Sequence, residues 1–153
     1  MTTTDPAALG ELMHTAFRGL RKRWMQQLAP YELTPHQFRA MGAVARAGQQ
    51  DSASGPGCGT GLRLKELAQR LNIAPRSATE VVDQLEAKGL VERRTHPSDR
   101  RAMLLTLTEA GERLREAVLS DRSREAGEYF SVLPDADRAE LARILGDLAA
   151  ERE

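Results

Sequence analysis

A single cysteine, Cys58, stands among 153 residues, so neither an intrachain disulfide nor a multi-cysteine zinc site can form. Three histidines, His14, His36 and His96, lie far apart and none belongs to a His-x3-His pair. Nothing in that spacing argues for a metal or another cofactor. Aromatic residues are only 4% of the chain, so aliphatic side chains and alanine must fill whatever core the 41% of hydrophobic residues builds. No apolar run approaches the ~18–20 residues that span a bilayer. The opening Met1-Thr2-Thr3-Thr4-Asp5-Pro6 lacks the basic-then-apolar order of a secretion signal. These absences lead us to expect a cytoplasmic protein with no membrane partner.

Net charge is absent as well, at zero overall, but its distribution is uneven. Leu62 to Arg101 carries nine Lys/Arg against six Asp/Glu, a net of +3. Ala102 to Glu153 carries seven against twelve, a net of −5, and Met1 to Gly61 a net of +2. A basic middle and an acidic tail suit a nucleic-acid binder whose tail faces away from the ligand.

The chain reads as a series of helices. Leu9, Leu12, Met13, Phe17, Leu20, Trp24 and Leu28 recur at spacings of three and four, one apolar stripe on a helix over residues 7–29 that Pro30 closes. Thr34, Pro35 and Gln37 form a near capping box for a second helix running to about Ala47. Gly48 to Gly61 is glycine-rich, reads as a long loop, and contains Cys58. Leu62-Arg63-Leu64 could add a short third strand to the hairpin that follows. Thr108, Glu109 and Gly111 open a long helix with Leu114, Ala117 and Val118 facing inward. A last helix begins at Pro134-Asp135 and aligns Leu141, Ile144, Leu145 and Leu148. The stripes at the two chain ends have no evident partner within the small core. The economical solution is a homodimer in which the terminal helices of two protomers pack together.

The most informative stretch runs from Leu64 to Gly111. Two short helices, Leu64 to Leu71 and Pro75 to Lys88, are joined by Asn72-Ile73-Ala74, and Gly89 supplies the C-cap. A hairpin follows: Leu90 to Thr95, the turn His96-Pro97-Ser98-Asp99-Arg100, then Arg101 to Leu107. Helix, turn, helix and basic hairpin form a device for setting one helix in the major groove of double-stranded DNA with a loop beside it. The first turns of the second helix carry the candidate readers. Arg76 can make a bidentate contact to guanine, and Ser77 or Thr79 can reach a phosphate or base edge. Glu80 can accept from a cytosine amine or orient Arg76 across one turn. At the hairpin tip Arg93, Arg94, Arg100 and Arg101 suit a narrow minor groove, with Asp99 assigned to hold the Arg101 guanidinium in one pose. Arg63 and Lys65, at the start of the first helix, complete the candidate DNA-binding set.

The segments Val82-Asp83-Gln84-Leu85-Glu86-Ala87-Lys88-Gly89-Leu90-Val91, Asp99-Arg100-Arg101, Leu105-Thr106-Leu107-Thr108 and Gly111 resemble the MarR family of bacterial regulators. Leu33-Thr34-Pro35-His36-Gln37-Phe38 and Glu66-Leu67-Ala68 with Leu71 are similar to earlier helices of that family, and the likeness spans about Leu9 to Leu148. The resemblance implies a mainly α fold with a small β-wing: a winged helix-turn-helix protomer in a dimer formed by the N- and C-terminal helices. On this reading residues 1–153 are one protomer, 34–108 the DNA-binding lobe, and 7–33 with 109–153 the dimerisation region. It further implies a repressor on a pseudo-palindromic operator, released by a small-molecule effector or an oxidant. The residue before the first reading-motif helix is Arg63, where the family often has Thr or Ser, and the Gly48 to Gly61 loop is longer than the family norm.

For the effector, Trp24 could stack on an aromatic ring, while His36, Arg39 and His14 could meet a carboxylate or phenolate. Each also has a plainer reading, Trp24 as core or interface and His36 as a surface residue. Two alternatives to a ligand-released repressor are a thiol sensor acting through Cys58 and a winged-helix protein-interaction module. No Lys or Arg flanks Cys58 to activate its thiol, and four arginines suit a phosphate backbone better than a protein surface. Catalysis finds no support: there is no Lys-Ser/Thr phosphate loop, no plausible Ser-His-Asp order and no paired catalytic carboxylates.

Overall fold

The computed structural model of the protein describes residues 5–52 and 61–150. Its elements are α1 (Pro6–Leu28), a 3-10 turn (Ala29–Tyr31), α2 (Pro35–Ser52), α3 (Leu64–Leu71), α4 (Pro75–Ala87), β1 (Val91–Thr95), β2 (Met103–Leu107), α5 (Glu109–Phe130) and α6 (Asp135–Ala150). They divide into two compact units. One comprises residues 25–119, the other the chain ends up to Trp24 and from Ser120.

Local chemistry accounts for most boundaries in the 25–119 unit. Thr34 Oγ1 accepts the Gln37 N–H at 3.2 Å and Gln37 Oε1 accepts the Thr34 N–H at 3.0 Å, the reciprocal bonds of a capping box. Arg63 has no side-chain oxygen to cap α3; Glu66 supplies half of the box instead, accepting the Arg63 N–H at 3.0 Å. Asn72 ends α3 in the left-handed region (φ 53°), where its short polar side chain is tolerated. At the end of α4, Gly89 (φ 69°) donates to Glu86 O and Leu90 donates to Leu85 O, which makes a Schellman closure.

The core of this unit gathers Met41, Leu67, Val82, Leu85, Val91, Leu105 and Val118 from six elements. Each such side chain removed from water contributes about 1.5–3 kcal/mol. The wing is a two-stranded antiparallel sheet in the register Val91↔Leu107, Arg93↔Leu105, Thr95↔Met103.

Several expectations change. Helix α2 passes Ala47 and takes Gly48 into its last turns, ending at Ser52. Residues 53–60, including Cys58, lie outside the described residues. Leu62 pairs with Leu105 as an isolated bridge (2.8 and 3.0 Å) and no third strand forms among the described residues, because Leu64 already begins α3. Ala117 is exposed, Leu114 half-buried and Val118 buried, so the inward face of α5 is narrower than its sequence suggests. Helix α5 runs unbroken through Gly127 to Phe130.

In the other unit Tyr129 Oη donates to Ala16 O (3.1 Å), and the Tyr129 and Phe130 rings meet edge-on at 5.1 Å. The Arg23 guanidinium lies 5.5 Å from the Tyr129 ring centre and 3.6 Å from Glu125. Arg122 stacks over Trp24 at 4.3 Å, and burial there pulls its guanidinium below the usual arginine range. Leu9, Leu12, Met13 and Phe17 on α1 and Ile144, Leu145 and Leu148 on α6 stay exposed.

Gly111 sits where α5 starts against the Leu90 carbonyl: a Cβ at this position would lie 2.0 Å from Leu90 O. Backbone on both sides leaves no flexible atom to yield. We therefore expect Gly111→Ala to destabilise the protein by about 1–3 kcal/mol. Urea denaturation would show this as a lower midpoint at unchanged slope.

Candidate nucleic-acid interface

Helix α4 buries Ala78, Val82 and Leu85 and turns Arg76, Ser77, Glu80 and Asp83 outward. Its N-cap is Ala74, which has no side-chain acceptor, and Pro75 stands in the first turn. The N–H groups of Arg76 and Ser77 therefore have no helical partner and are available to a phosphate oxygen. The Thr79 hydroxyl, by contrast, donates back to Pro75 O at 3.0 Å and is half-buried. Arg76 Nε lies 3.5 Å from Glu80 Oε1, the one-turn orientation that the sequence raised as one role for Glu80. The Arg76 side chain remains 93% exposed, so this pair constrains it little.

Two connections that sequence reading missed hold α4 in place. Gln37, buried to 3% exposure, donates from Nε2 to Gln84 Oε1 at 2.8 Å. Lys88 Nζ donates to Glu32 O and, at 3.4 Å, to Gln37 Oε1. The start of α2 is thereby joined to the last turns of α4 by polar groups lying 47 to 56 residues apart. The capping box pointed to Gln37 but not to the partner of its amide nitrogen.

The wing separates its arginines into two groups. Arg93 lies in mid-strand rather than at the tip, opposite Leu105. It donates to Asp83 Oδ1 at 2.6 Å and also to Glu86, which joins the wing to α4. The Asp83 hydrogen bond, with the Glu86 charge, holds its guanidinium above the usual arginine range against the opposing effect of burial. A partly exposed network of this kind contributes about 1 kcal/mol at most. Arg94 likewise lies on the strand, bonded to Glu92 at 2.7 Å. Arg100 and Arg101 are the cations at the tip, exposed and without an ion pair among the described residues. Arg63 and Lys65 lie at the start of α3, Arg63 exposed as its N-cap residue and Lys65 exposed in its first turn.

The tip is shaped by its own backbone. Ala102 accepts the His96 N–H at 2.9 Å and donates to Asp99 O at 3.0 Å, and His96 Nδ1 accepts the Ser98 N–H at 3.2 Å. Asp99 Oδ1 accepts the backbone N–H of Arg101 at 3.1 Å. Asp99 thus orders the chain at Arg101 instead of gripping its guanidinium, because a carboxylate two residues back reaches the amide first.

The effector candidates are not gathered into one site within either unit. His14, exposed, and Trp24, half-buried under Arg122, lie on α1 in one unit. Trp24 Nε1 is buried and meets no acceptor. His36 and Arg39 lie on α2 in the other unit, and Arg39 donates to Leu71 O at 3.5 Å, beside the turn of the helix-turn-helix. Among the described residues no group of His, Cys, Asp and Glu side chains is arranged to hold a metal, and no helix is long and apolar enough to cross a membrane.

Helix α3, the Asn72 turn, an outward-facing α4 and a two-stranded wing define a winged helix-turn-helix protein. A family model described as MarR family matches residues 59–103. The HTH-type transcriptional repressor MdtR of Bacillus subtilis is 26% identical over 141 residues, covering 92% of this chain and 83% of that protein. A solved MarR family protein from Bacillus stearothermophilus is 28% identical, with a TM-score of 0.75 over 99% of this chain and 98% of that one. A point mutant of S. aureus MepR, solved bound to an oligodeoxyribonucleotide, shares the fold at 19% identity and a TM-score of 0.69, over 95% and 98% of the two chains. Over most of its length the chain is similar to winged helix-turn-helix transcriptional regulators of the MarR family.

The Asp99 geometry separates two roles by substitution. Asp99→Asn keeps the oxygen that accepts the Arg101 N–H and should leave DNA affinity within about twofold. Asp99→Ala removes it and should weaken binding about fivefold, the equivalent of one hydrogen bond near 1 kcal/mol. Fluorescence anisotropy on operator DNA reads both; equal losses in the two variants would restore the charge-pairing role.

Proposed function

We propose that the protein is a repressor that binds a pseudo-palindromic operator as a homodimer and is released by a small-molecule effector. The observation that carries this reading is the pairing of two exposed basic features on one unit: Arg76 with the open N-terminus of α4, and Arg100 with Arg101 on the ordered wing tip. The former matches the major groove in type and the latter the minor groove. Arg63 and Lys65 add cations for the phosphate backbone.

The exposed apolar residues of α1 and α6 support the second copy. Leu12 is 63% and Phe17 50% exposed, alongside Ile144, Leu145 and Leu148. A patch of this kind is rare on a protein that remains alone in water. In such a dimer the two reading helices meet successive major grooves about 34 Å apart. An effector acts by binding better to a protomer geometry that breaks this spacing, and a coupling of ~1–3 kcal/mol changes affinity ~5–150-fold.

Gel-shift titrations against DNA flanking the protein's own gene, at two or more salt concentrations, test the reading. Specific binding should survive competitor DNA and weaken with salt at a log–log slope of about −0.9 for each phosphate neutralised. Arg76→Ala should cost about 1–3 kcal/mol and relax preference at one base position. If Arg101→Ala bound as tightly as wild type, the wing would have no part in recognition. Sedimentation equilibrium should give a dimer that Leu12→Glu with Phe17→Glu converts to monomer, since charges buried in an apolar interface are left unpaired.

A further inference from the structure

Among the described residues Gln37 alone is both polar and buried. Each polar atom of its side-chain amide is engaged. Oε1 accepts the Thr34 N–H at 3.0 Å and Lys88 Nζ at 3.4 Å, and Nε2 donates to Gln84 Oε1 at 2.8 Å. Lys88 also donates to Glu32 O. It stands at the C-cap of α4, where the helix dipole favours a cation. These groups form one polar node between the start of α2 and the end of α4.

Cohesion alone does not call for such a node. Replacing both partners of a buried hydrogen bond by apolar groups of similar shape is near neutral for stability, or favourable. What apolar groups lack is direction. A hydrogen bond weakens steeply as its angle bends, whereas apolar packing is non-directional and tolerates a helix that rolls or slides. The inward face of α4 is otherwise Ala78, Val82 and Leu85. Its other polar tie, Arg93 to Asp83 and Glu86, consists of partly exposed ion pairs that salt screens. The Gln37–Gln84 bond is between neutral groups and escapes that screening.

Gln84 precedes the C-cap of α4 and Arg76 opens the helix, roughly 12 Å away at 1.5 Å per residue. A roll fixed at Gln84 is therefore fixed at Arg76 and Ser77 as well. Contacts to base edges carry sequence information and need that alignment, while contacts to phosphates carry none. We infer that Gln37 and Gln84, braced by Lys88, are positioning residues for sequence discrimination: they fix the roll of α4 so that its first turns meet one set of base edges. The inference rests on α4 as the reading helix, as proposed above.

Two probes test it by fluorescence anisotropy at one salt concentration: the duplex that wild type selects from a random-sequence library, and a scrambled duplex of the same composition. In the double variant Gln37→Leu with Gln84→Leu, the thermal midpoint should match or exceed that of wild type. Its affinity for the scrambled duplex should stay within about twofold, and that for the selected duplex should fall about fivefold or more. Gln37→Glu keeps an acceptor for Thr34 and Lys88 and lets the Gln84 amide turn to donate, so it should discriminate as wild type does. Discrimination equal to wild type in the double variant would overturn the inference, as would equal losses on the two duplexes. Should the double variant not fold, Gln84→Ala and Gln84→Glu carry the test. Gln84 is exposed, and of these two only the carboxylate still accepts from Gln37 Nε2. A loss of discrimination confined to Gln84→Ala supports the inference, and equal discrimination by the two overturns it. Arg76→Ala tests the reading helix itself. If it discriminated as well as wild type, α4 would not be the reader and the inference would fall with that assignment. If it lost discrimination while the double variant kept it, the assignment would stand and the inference alone would fall.

Discussion

The Gly89-Leu90 peptide is the point on which the 25–119 unit depends. Leu90 N–H closes α4 on Leu85 O, and Leu90 O accepts the Thr108 N–H at 3.1 Å, where α5 begins. Gly89 O accepts the Thr108 hydroxyl, and Gly111 passes so near Leu90 O that no side chain fits between them. Three events therefore share one corner: the end of α4, the entry to the wing and the start of α5. A backbone corner of this kind is stiff, because its polar groups are satisfied by each other and any shift breaks several bonds together.

Around that corner, α4 is held by contacts of different chemistry. Apolar packing through Ala78, Val82 and Leu85 sets its depth. The Gln37–Gln84 bond and Lys88 constrain its roll from the side of α2, and Arg93 reaches it from the wing through Asp83 and Glu86. The polar residues left exposed on α4 and the wing tip are those that this framework does not consume. Of the wing arginines, Arg93 and Arg94 are engaged with carboxylates, while Arg100 and Arg101 form no ion pair among the described residues. Near-zero net charge is compatible with a basic face because many carboxylates are spent on the framework or placed beyond it.

The two units meet solvent differently. The 25–119 unit encloses nearly all the fully buried side chains. The chain ends carry a row of exposed leucines, a phenylalanine and an isoleucine, and hold Trp24 beneath Arg122. The first buries its apolar side chains within itself; the second presents an apolar surface suited to a partner of the same kind.

Local sequence was enough to indicate the helices, several of their caps and the likeness to MarR-family regulators. Thr34 with Gln37, Gly89 after Lys88 and Thr108 before Gly111 act over three or four residues, so their roles follow from spacing alone. Apolar periodicity likewise identified the faces of α3 and α4. Tertiary structure alone decided which polar residues are free. That Arg93 serves α4, that Asp99 holds an amide and that Arg39 reaches Leu71 O depend on partners brought together by packing. Identical arginines therefore acquire different functions: a guanidinium's sequence neighbours do not reveal which carboxylate or carbonyl the fold will bring within about 3 Å of it.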